Sequence, residues 1–342
     1  MRIFLYEFVT GGGWFSASHE APPDSLLAEG HAMLSALAAD FAAIENTTVD
    51  VLQETRLPPI SLLGVNVHPV SRAAAELGAL EEFAAAADWT VLIAPEFDGH
   101  LHSRTRAVER AGGRLLSPSS QVVSLASDKH LTAEYLSRRG LPVPRGLALD
   151  PGELLPQDFA YPAVLKPRDG AGSLGIEWIA AKPDNRVAGQ VPARLESYCP
   201  GTATSVACLC GPDRIVPLEP CLQRLGGDGD FTYLGGSLPI GPNLAGRARR
   251  LAVRAVRTLP SPLGYIGVDL VLGADPAGSG DVVVEINPRL TTSYVGLRAL
   301  SRGNLTAAMI AVAQGRDAEL CWNSAPVHFS SSGTCGQLPA SD

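Results

Sequence analysis

Tyr161-Pro162-Ala163-Val164-Leu165-Lys166-Pro167-Arg168-Asp169-Gly170-Ala171-Gly172-Ser173-Leu174-Gly175-Ile176-Glu177-Trp178-Ile179 is the stretch on which the reading of this chain turns. Ala163–Lys166 is an apolar, β-prone run that ends on a lysine. Gly170–Gly175 fits G-x-G-x-x-G, which in a dinucleotide site opens a helix whose N-terminus meets the pyrophosphate. Here the following residues, Ile176–Ile179, are β-like. The loop is therefore expected to join two antiparallel strands, with its bare N–H groups free to fold over phosphates as a flap. Read alone, the loop is equally a flexible hairpin. Lys166 shifts the balance, because its ammonium ends the entering strand where it could reach a nucleotide phosphate. The chain has 27 Lys+Arg, yet only Lys129, Lys166 and Lys182 are lysine. A retained lysine hints at a need for a compact ammonium on a flexible stem.

Outward toward the C-terminus, Gly267-Val268-Asp269-Leu270 and Val284-Glu285-Ile286-Asn287-Pro288-Arg289 form a second constellation. Strand alternation puts Glu285 and Asn287 on one face, and an antiparallel partner strand would bring Asp269 toward it. Two carboxylates and an amide oxygen are hard ligands suited to Mg²⁺ held between protein and triphosphate. Arg289, next along the same periodicity, can contact a transferring phosphoryl group or an acyl-phosphate. The alternative is a solvated sheet face with a salt bridge, which fits poorly with the apolar run Val282–Val284.

The whole chain has 342 residues, is 46% hydrophobic and 18% charged, and carries a formal net charge of −8. That suits a folded protein of two or three domains and disfavours nucleic acid as a partner. The apolar runs are too short to suggest a membrane span. Met1–Glu7 reads as a strand without a signal-peptide core, so a cytoplasmic protein is expected. The six cysteines are scattered with no C-x-x-C pair, which argues against structural zinc or a disulfide framework. Up to about residue 118, strand and helix signals alternate. Ile3–Phe8, Val49–Leu52, Trp89–Ala94 and Arg114–Leu116 read as strands. Helices follow Asp24 and Ser71 as caps, with another over Arg104–Ala111. Such alternation implies a parallel sheet covered on both faces, with ligands at the carboxyl ends of its strands. Glu7–Trp14 and Pro95–Asp98 lie at such ends. Beyond Ser127 the spacing predicts a helix capped by Asp128, strands at Arg194–Tyr198 and Thr204–Cys210, an arginine-rich helix over Leu244–Leu259, and a strand pair at Tyr265–Leu272 and Asp281–Ile286. The tail from Asn323 is rich in Ser, Gly and Pro and is expected to be peripheral or mobile.

In order and spacing, Ser127-Asp128-Lys129, Leu141-Pro142-Val143-Pro144, Tyr161–Pro167, the glycine flap and Glu285–Arg289 resemble an ATP-grasp ligase. The resemblance covers about residues 120 to 315, and the residues before it resemble the α/β domain that precedes the grasp. It implies an α/β fold: a Rossmann-like pre-ATP-grasp domain (1–118), then a two-lobed α+β ATP-grasp domain. The flap lobe would be 119–192 and the metal lobe 193–322, followed by the tail 323–342. Lys129 and Lys166 would bind ATP phosphates under the flap Gly170, Gly172, Ser173 and Gly175. Glu196, Ser197 and Tyr198, with Cys199, would meet adenine largely through backbone groups. Asp269, Glu285 and Asn287 would hold Mg²⁺, with Mn²⁺ the other candidate. Arg289 would steady the acyl-phosphate, with Lys166 as a second catalytic group. Asp269 stands where many members carry Glu, a departure that bears on metal number and spacing. Tyr6–Gly13, Ile93–Glu96 and Asn287–Tyr294 are similar to the tyramine–glutamate ligase group of methanofuran biosynthesis. That likeness marks Glu7, Gly11, Gly12, Gly13, Glu96, Thr292 and Tyr294 as candidate substrate contacts. Glu7 or Glu96 would pair with a substrate ammonium, and Trp14 or Tyr294 would stack on a phenol ring.

The expected partners are therefore small-molecule carboxylate and amine substrates, with neither nucleic acid nor membrane; a homodimer is an assembly left open. Three function classes stand: a carboxylate–amine ligase, acting on glutamate or on another amino acid or peptide; a non-catalytic ATP-binding protein; and an oxidoreductase using the glycine motif. The β-like segment after Gly175 argues against the last. His100-Leu101-His102 reads as a helix-start loop rather than a metal pair, Cys208 and Cys210 as buried packing, and Arg247, Arg249 and Arg250 as a solvated helix face.

Overall fold

The computed structural model describes residues 1–18, 20–170, 174–227 and 229–337. The N-terminal part builds a four-stranded, all-parallel sheet from β1 (Arg2–Glu7), β2 (Thr48–Glu54), β3 (Val65–Val70) and β4 (Trp89–Ile93), in the order β3-β2-β1-β4. Alternation along β1 sends Ile3 and Leu5 to one face and Phe4 and Tyr6 to the other. The first face packs on Leu34, Leu37 and Phe41 of the helix Asp24–Ala42. The second packs on Leu80, Leu101 and Val108 of the helices Glu76–Ala86 and His100–Arg110. Both faces are covered, which is why β4 is buried at every position.

Several expectations for this part need correction. Asp24 lies in the first turn of its helix behind Pro23, with no side-chain cap, and the helix expected to start at Ser71 enters through a 3₁₀ turn, Ala73–Ala75. Arg114–Leu116 contributes only a single bridge, Leu115 to Thr90. The strand Val65–Val70 had no clear sequence signal, because it is an edge strand with Asn66, His68 and Pro69 in it.

A second four-stranded sheet, β5 (Gly146–Leu149), β6 (Ala163–Pro167), β7 (Glu177–Ile179) and β8 (Ala193–Ser197), is antiparallel in the order β5-β8-β6-β7. The glycine-rich loop joins β6 to β7, antiparallel as expected. Asp128 caps the helix Lys129–Ser137 by accepting the N–H groups of His130 and Leu131, both at 2.9 Å.

The third sheet has eight strands: β9 (Thr202–Cys210), β10 (Ile215–Pro217), β11 (Cys221–Gly227), β12 (Asp230–Leu238), β13 (Gly264–Leu272), β14 (Val282–Asn287), β15 (Val327–Ser330) and β16 (Cys335–Gln337). The helix Pro242–Val256 covers one face through Ala248, Leu251, Ala252 and Ala255. The other face shares one continuous core with the N-terminal sheet, through the helices Ser293–Leu300 and Leu305–Ala313. Asp40, near the end of the helix Asp24–Ala42, accepts from Tyr294 and Arg298, and its carbonyl accepts from Asn304.

Part of the tail is not peripheral. Val327–Ser330 pairs with β12, and Val327 and Phe329 are buried. Two alternating apolar residues are too few to have marked a strand in sequence. Arg247 is likewise no surface residue: it is buried and donates to Asp281 and to the Gly273 carbonyl. Cys208 and Cys210 are buried, and burial pushes the Cys208 thiol up to about 12. Among the described residues no helix is long and apolar enough to cross a membrane.

Candidate active site

A cavity lies where β6 and β8 face β11–β14, reaching the flap at one end and the N-terminal domain at the other. Strand alternation points Lys166 and Glu196 into it from neighbouring strands, and the two form an ion pair at 2.6 Å. The other Glu196 oxygen accepts Arg194 Nε at 2.8 Å, and Arg194 also donates to the Pro144 carbonyl. Lys129 enters from the start of its helix. Its Nζ pairs with Glu285 at 2.9 Å and donates to the Gly170 carbonyl at 2.9 Å, tying the base of the flap. Burial pulls the Lys129 pKa down, but the neighbouring carboxylates, Glu285 first and then Glu96, leave it raised overall. Gly175 closes the loop at φ 69, a conformation that favours glycine. Gly172 and Ser173 lie outside the described residues.

The acidic set meets across one strand pair. Asp269 of β13 faces Glu285 of β14, with Gly267 opposite Asn287. Asn287 Nδ2 donates to Asp269 Oδ2 and Gln223 Nε2 to Oδ1, both at 3.0 Å. Burial, then the charge of Glu285, pushes the Asp269 carboxyl up to about 7. A cation placed between these carboxylates would reverse that shift, and the all-oxygen donors suit Mg²⁺ or Mn²⁺. Among the described residues no group of three or more His, Cys, Asp or Glu side chains is gathered for a metal. Two carboxylates and an amide fit an ion that keeps water and phosphate among its ligands.

Ser197 and Tyr198 line the cavity, but their N–H groups already donate to the carbonyls of Arg145 and Pro162. The Cys199 N–H is left without a backbone acceptor among the described residues. Tyr198 stands edge-on to Trp178 with ring centroids 4.6 Å apart.

The expected substrate residues are brought together only in part. Thr292 lines the cavity and donates to Glu29 Oε1 at 2.5 Å. Glu96 grips Arg289 through two bonds, at 2.9 and 3.1 Å, with both residues buried. Arg289 thus enters the cavity already neutralised, and Glu96 is committed to it rather than open to a substrate ammonium. Glu7 is not a cavity residue. Its carboxylate is buried at the end of β1, where it accepts the N–H groups of Val9 and Thr10 and the Thr10 hydroxyl. Burial raises its pKa. Gly11, Gly12 and Gly13 form the same turn away from the cavity, and a Cβ at Gly11 would lie 2.6 Å from the Glu7 carbonyl. Their smallness serves packing. Tyr294 is in the core, its hydroxyl donating to Asp40 at 2.6 Å, so it braces two domains and cannot stack on a substrate. Trp14 donates to the Glu20 carbonyl, outside the cavity lining. His100 starts its helix and stacks on Phe8.

Among the lining residues that the sequence did not single out are Glu29, Gln223, Phe231 and Tyr233. Each sits in an ordinary amphipathic helix or alternating strand, and only the tertiary fold brings it to the cavity.

Comparison with known proteins extends this picture. An ATP-grasp domain profile matches residues 126–293, and a pre ATP-grasp 3 domain profile matches residues 47–123. A tyramine–L-glutamate ligase from Methanocaldococcus fervens is 26% identical over 211 residues, 62% of this chain. The match spans 62% of that ligase's own length. Among solved structures, a protein of Archaeoglobus fulgidus ascribed to the ATP-grasp superfamily has a TM-score of 0.70 at 24% identity, covering 96% of this chain and 92% of its own. An L-amino acid ligase from Bacillus licheniformis has a TM-score of 0.66 at 14% identity, covering 96% and 78%. The chain carries a pre-ATP-grasp domain followed by an ATP-grasp domain.

Proposed function

We propose that the chain is an ATP-dependent carboxylate–amine ligase, joining glutamate to a tyramine- or tyrosine-like amine on the way to a methanofuran-type cofactor. The observation that carries the reaction class is a single cavity lined by Lys129, Lys166, Arg289 and the Asp269–Glu285–Asn287 set. A free carboxylate is a poor electrophile. Its oxygen attacks the γ-phosphorus of ATP, ADP leaves, and the acyl-phosphate is then attacked at carbon by an amine. Phosphate departs and the amine loses a proton, leaving an amide. Lys129 and Lys166 exchange their carboxylate partners for phosphate oxygens, while Arg289 faces the reacting phosphoryl group. Asp269, Glu285 and Asn287 would hold Mg²⁺, which when bound offsets charge on the phosphates. Leu174 and Ile176 of the flap and Phe231 of β12 supply apolar walls to that cavity.

The choice of substrates rests on the tyramine–L-glutamate ligase match and on Tyr233 and Phe231, aromatic walls able to receive a phenol ring. The positions of Glu7, Gly11–Gly13 and Tyr294 outside the cavity favour keeping a second reading, a ligase for another amino acid or peptide. Incubation with ATP, Mg²⁺, glutamate and tyramine or tyrosine, read by mass spectrometry, is expected to give the glutamyl amide and ADP. ADP formed only with a different acid–amine pair would sink the substrates and leave the reaction class standing.

A further inference from the structure

We propose that Glu29 binds the ammonium group of an amino-acid substrate, with Thr292 as its positioning residue; this deepens the ligase reading and rests on it. The case comes from matching charges around the cavity. Glu196 faces Lys166 and Arg194, and Glu285 faces Lys129. Asp169, at the flap base, lies in the field of Arg168 and accepts the Asp98 N–H. Asp269 is held by two amides and belongs to the metal set. Asp169, Asp269 and Glu29 have no paired Lys, Arg or His nitrogen among the described residues; the first lies at the flap and the second in the metal set, which leaves Glu29, its Oε1 accepting the Thr292 hydroxyl. Arg289, the cation whose charge is felt there, has its guanidinium fork closed on Glu96.

A carboxylate at the edge of a half-buried cavity without a cation asks for one from the ligand. Its placement is rigid: the helix Asp24–Ala42 is clamped to the large domain through Asp40, Tyr294 and Asn304. The proposal gives this place to the ammonium of the molecule whose carboxylate receives the phosphoryl group, which makes that molecule an amino acid. Were it instead the place of the attacking amine, Glu29 would have to take that amine's proton as a base, and Glu29→Gln would lower kcat rather than raise KM for the acid.

The test measures ADP release with ATP, Mg²⁺ and tyramine against the twenty protein amino acids, then against the des-amino acid matching whichever is active (glutarate for glutamate). The wild type is expected to accept the amino acid and reject its des-amino analogue. Glu29→Gln, which keeps the Thr292 hydrogen bond and so the fold, is expected to raise KM for the amino acid about 30-fold or more. It should leave KM for ATP unchanged and erase the preference over the analogue. Thr292→Val should raise KM for the amino acid with kcat retained, and Thr292→Ser should restore it. Wild-type KM and intact discrimination in Glu29→Gln would overturn the assignment while the ligase stands. A wild type that turns over the des-amino acid as well as the amino acid would do the same. If no acid releases ADP with tyramine, the same acids are paired with the twenty amino acids as amines; failure of every such pair to release ADP would remove the ligase reading, and this inference with it.

Discussion

At the end of the cavity walled by β6, β8 and β14, Glu196 holds Lys166 at 2.6 Å and Glu285 holds Lys129 at 2.9 Å. At the end facing the N-terminal domain, among the described residues, Asp269 holds the amides of Asn287 and Gln223 and Glu29 a hydroxyl, with no cation on either. The first end is neutral before any ligand arrives. Phosphates entering there must take lysines from carboxylates, so binding is an exchange of ion pairs within one desolvated space. The second end offers neither carboxylate a paired side-chain cation among the described residues, and burial, then the facing Glu285, push the Asp269 carboxyl up to about 7. One end selects by competition, the other by lacking a cation.

The sharpest way to break this contrast is Lys166→Met, which is expected to lower ADP formation by about 10³-fold. The fold should persist, because Glu196 keeps Arg194 and is not left an orphan charge. Near-normal turnover by a folded variant would show that Lys166 makes no contact with phosphate. Glu285→Gln comes next, with an expected loss of about 10²-fold and a higher Mg²⁺ concentration for half-maximal rate. It also frees Lys129 toward the nucleotide, so the Mg²⁺ titration and the KM for ATP should be measured together. An unchanged Mg²⁺ requirement would move the metal elsewhere. At the other end, Gln223→Ala removes a donor that orients Asp269 without any proposed contact to ATP. A loss of about tenfold is expected, recovered in part by Mn²⁺ or by raised Mg²⁺. A loss that no metal concentration relieves would place Gln223 against a substrate instead.

Legibility in sequence divided along the same line. The neutral end is made of residues set by strand alternation within short motifs: Lys166 entering a glycine loop, and Glu285 and Asn287 two apart on one strand. Those rules act over a few residues, so spacing was enough to single them out as candidates. The parallel sheet was legible for the same reason, whereas the edge strand Val65–Val70 and the tail strand Val327–Ser330 had too short a pattern. Glu29, Gln223 and Tyr233 come from three separate elements and meet only because those elements pack. Glu7 and Tyr294 failed in the opposite sense. A strand end and a motif neighbour suggested a pocket, but Glu7 is consumed by its own turn and Tyr294 by Asp40. Being near a motif in the chain is weaker evidence than the partner a side chain finds.

Glu7 supplies the smallest expected effect, and one read in stability rather than rate. Its carboxyl is raised by burial and, more weakly, by Glu29, and opposed by the bonds from Thr10 and Val9. A raised carboxylate binds more protons folded than unfolded, so stability falls as pH climbs from its ordinary value near 4.5 through its higher native value. Glu7→Gln removes that titration. Thr10 N–H and Oγ1 share one oxygen, so the amide must place its carbonyl there and lose the Val9 bond, a cost of about 1 kcal/mol that does not vary with pH. Between pH 5 and pH 8, urea midpoints of Glu7→Gln are therefore expected to decline less than those of the wild type, from a lower starting value, with ligase activity unchanged. Glu29→Gln should flatten the wild-type decline slightly, since it withdraws one of the charges that raise Glu7. Parallel pH profiles for all three proteins would mean that the negative charge at this end does not extend beneath the cavity floor. The contrast between the two ends would then be confined to the side chains that line it.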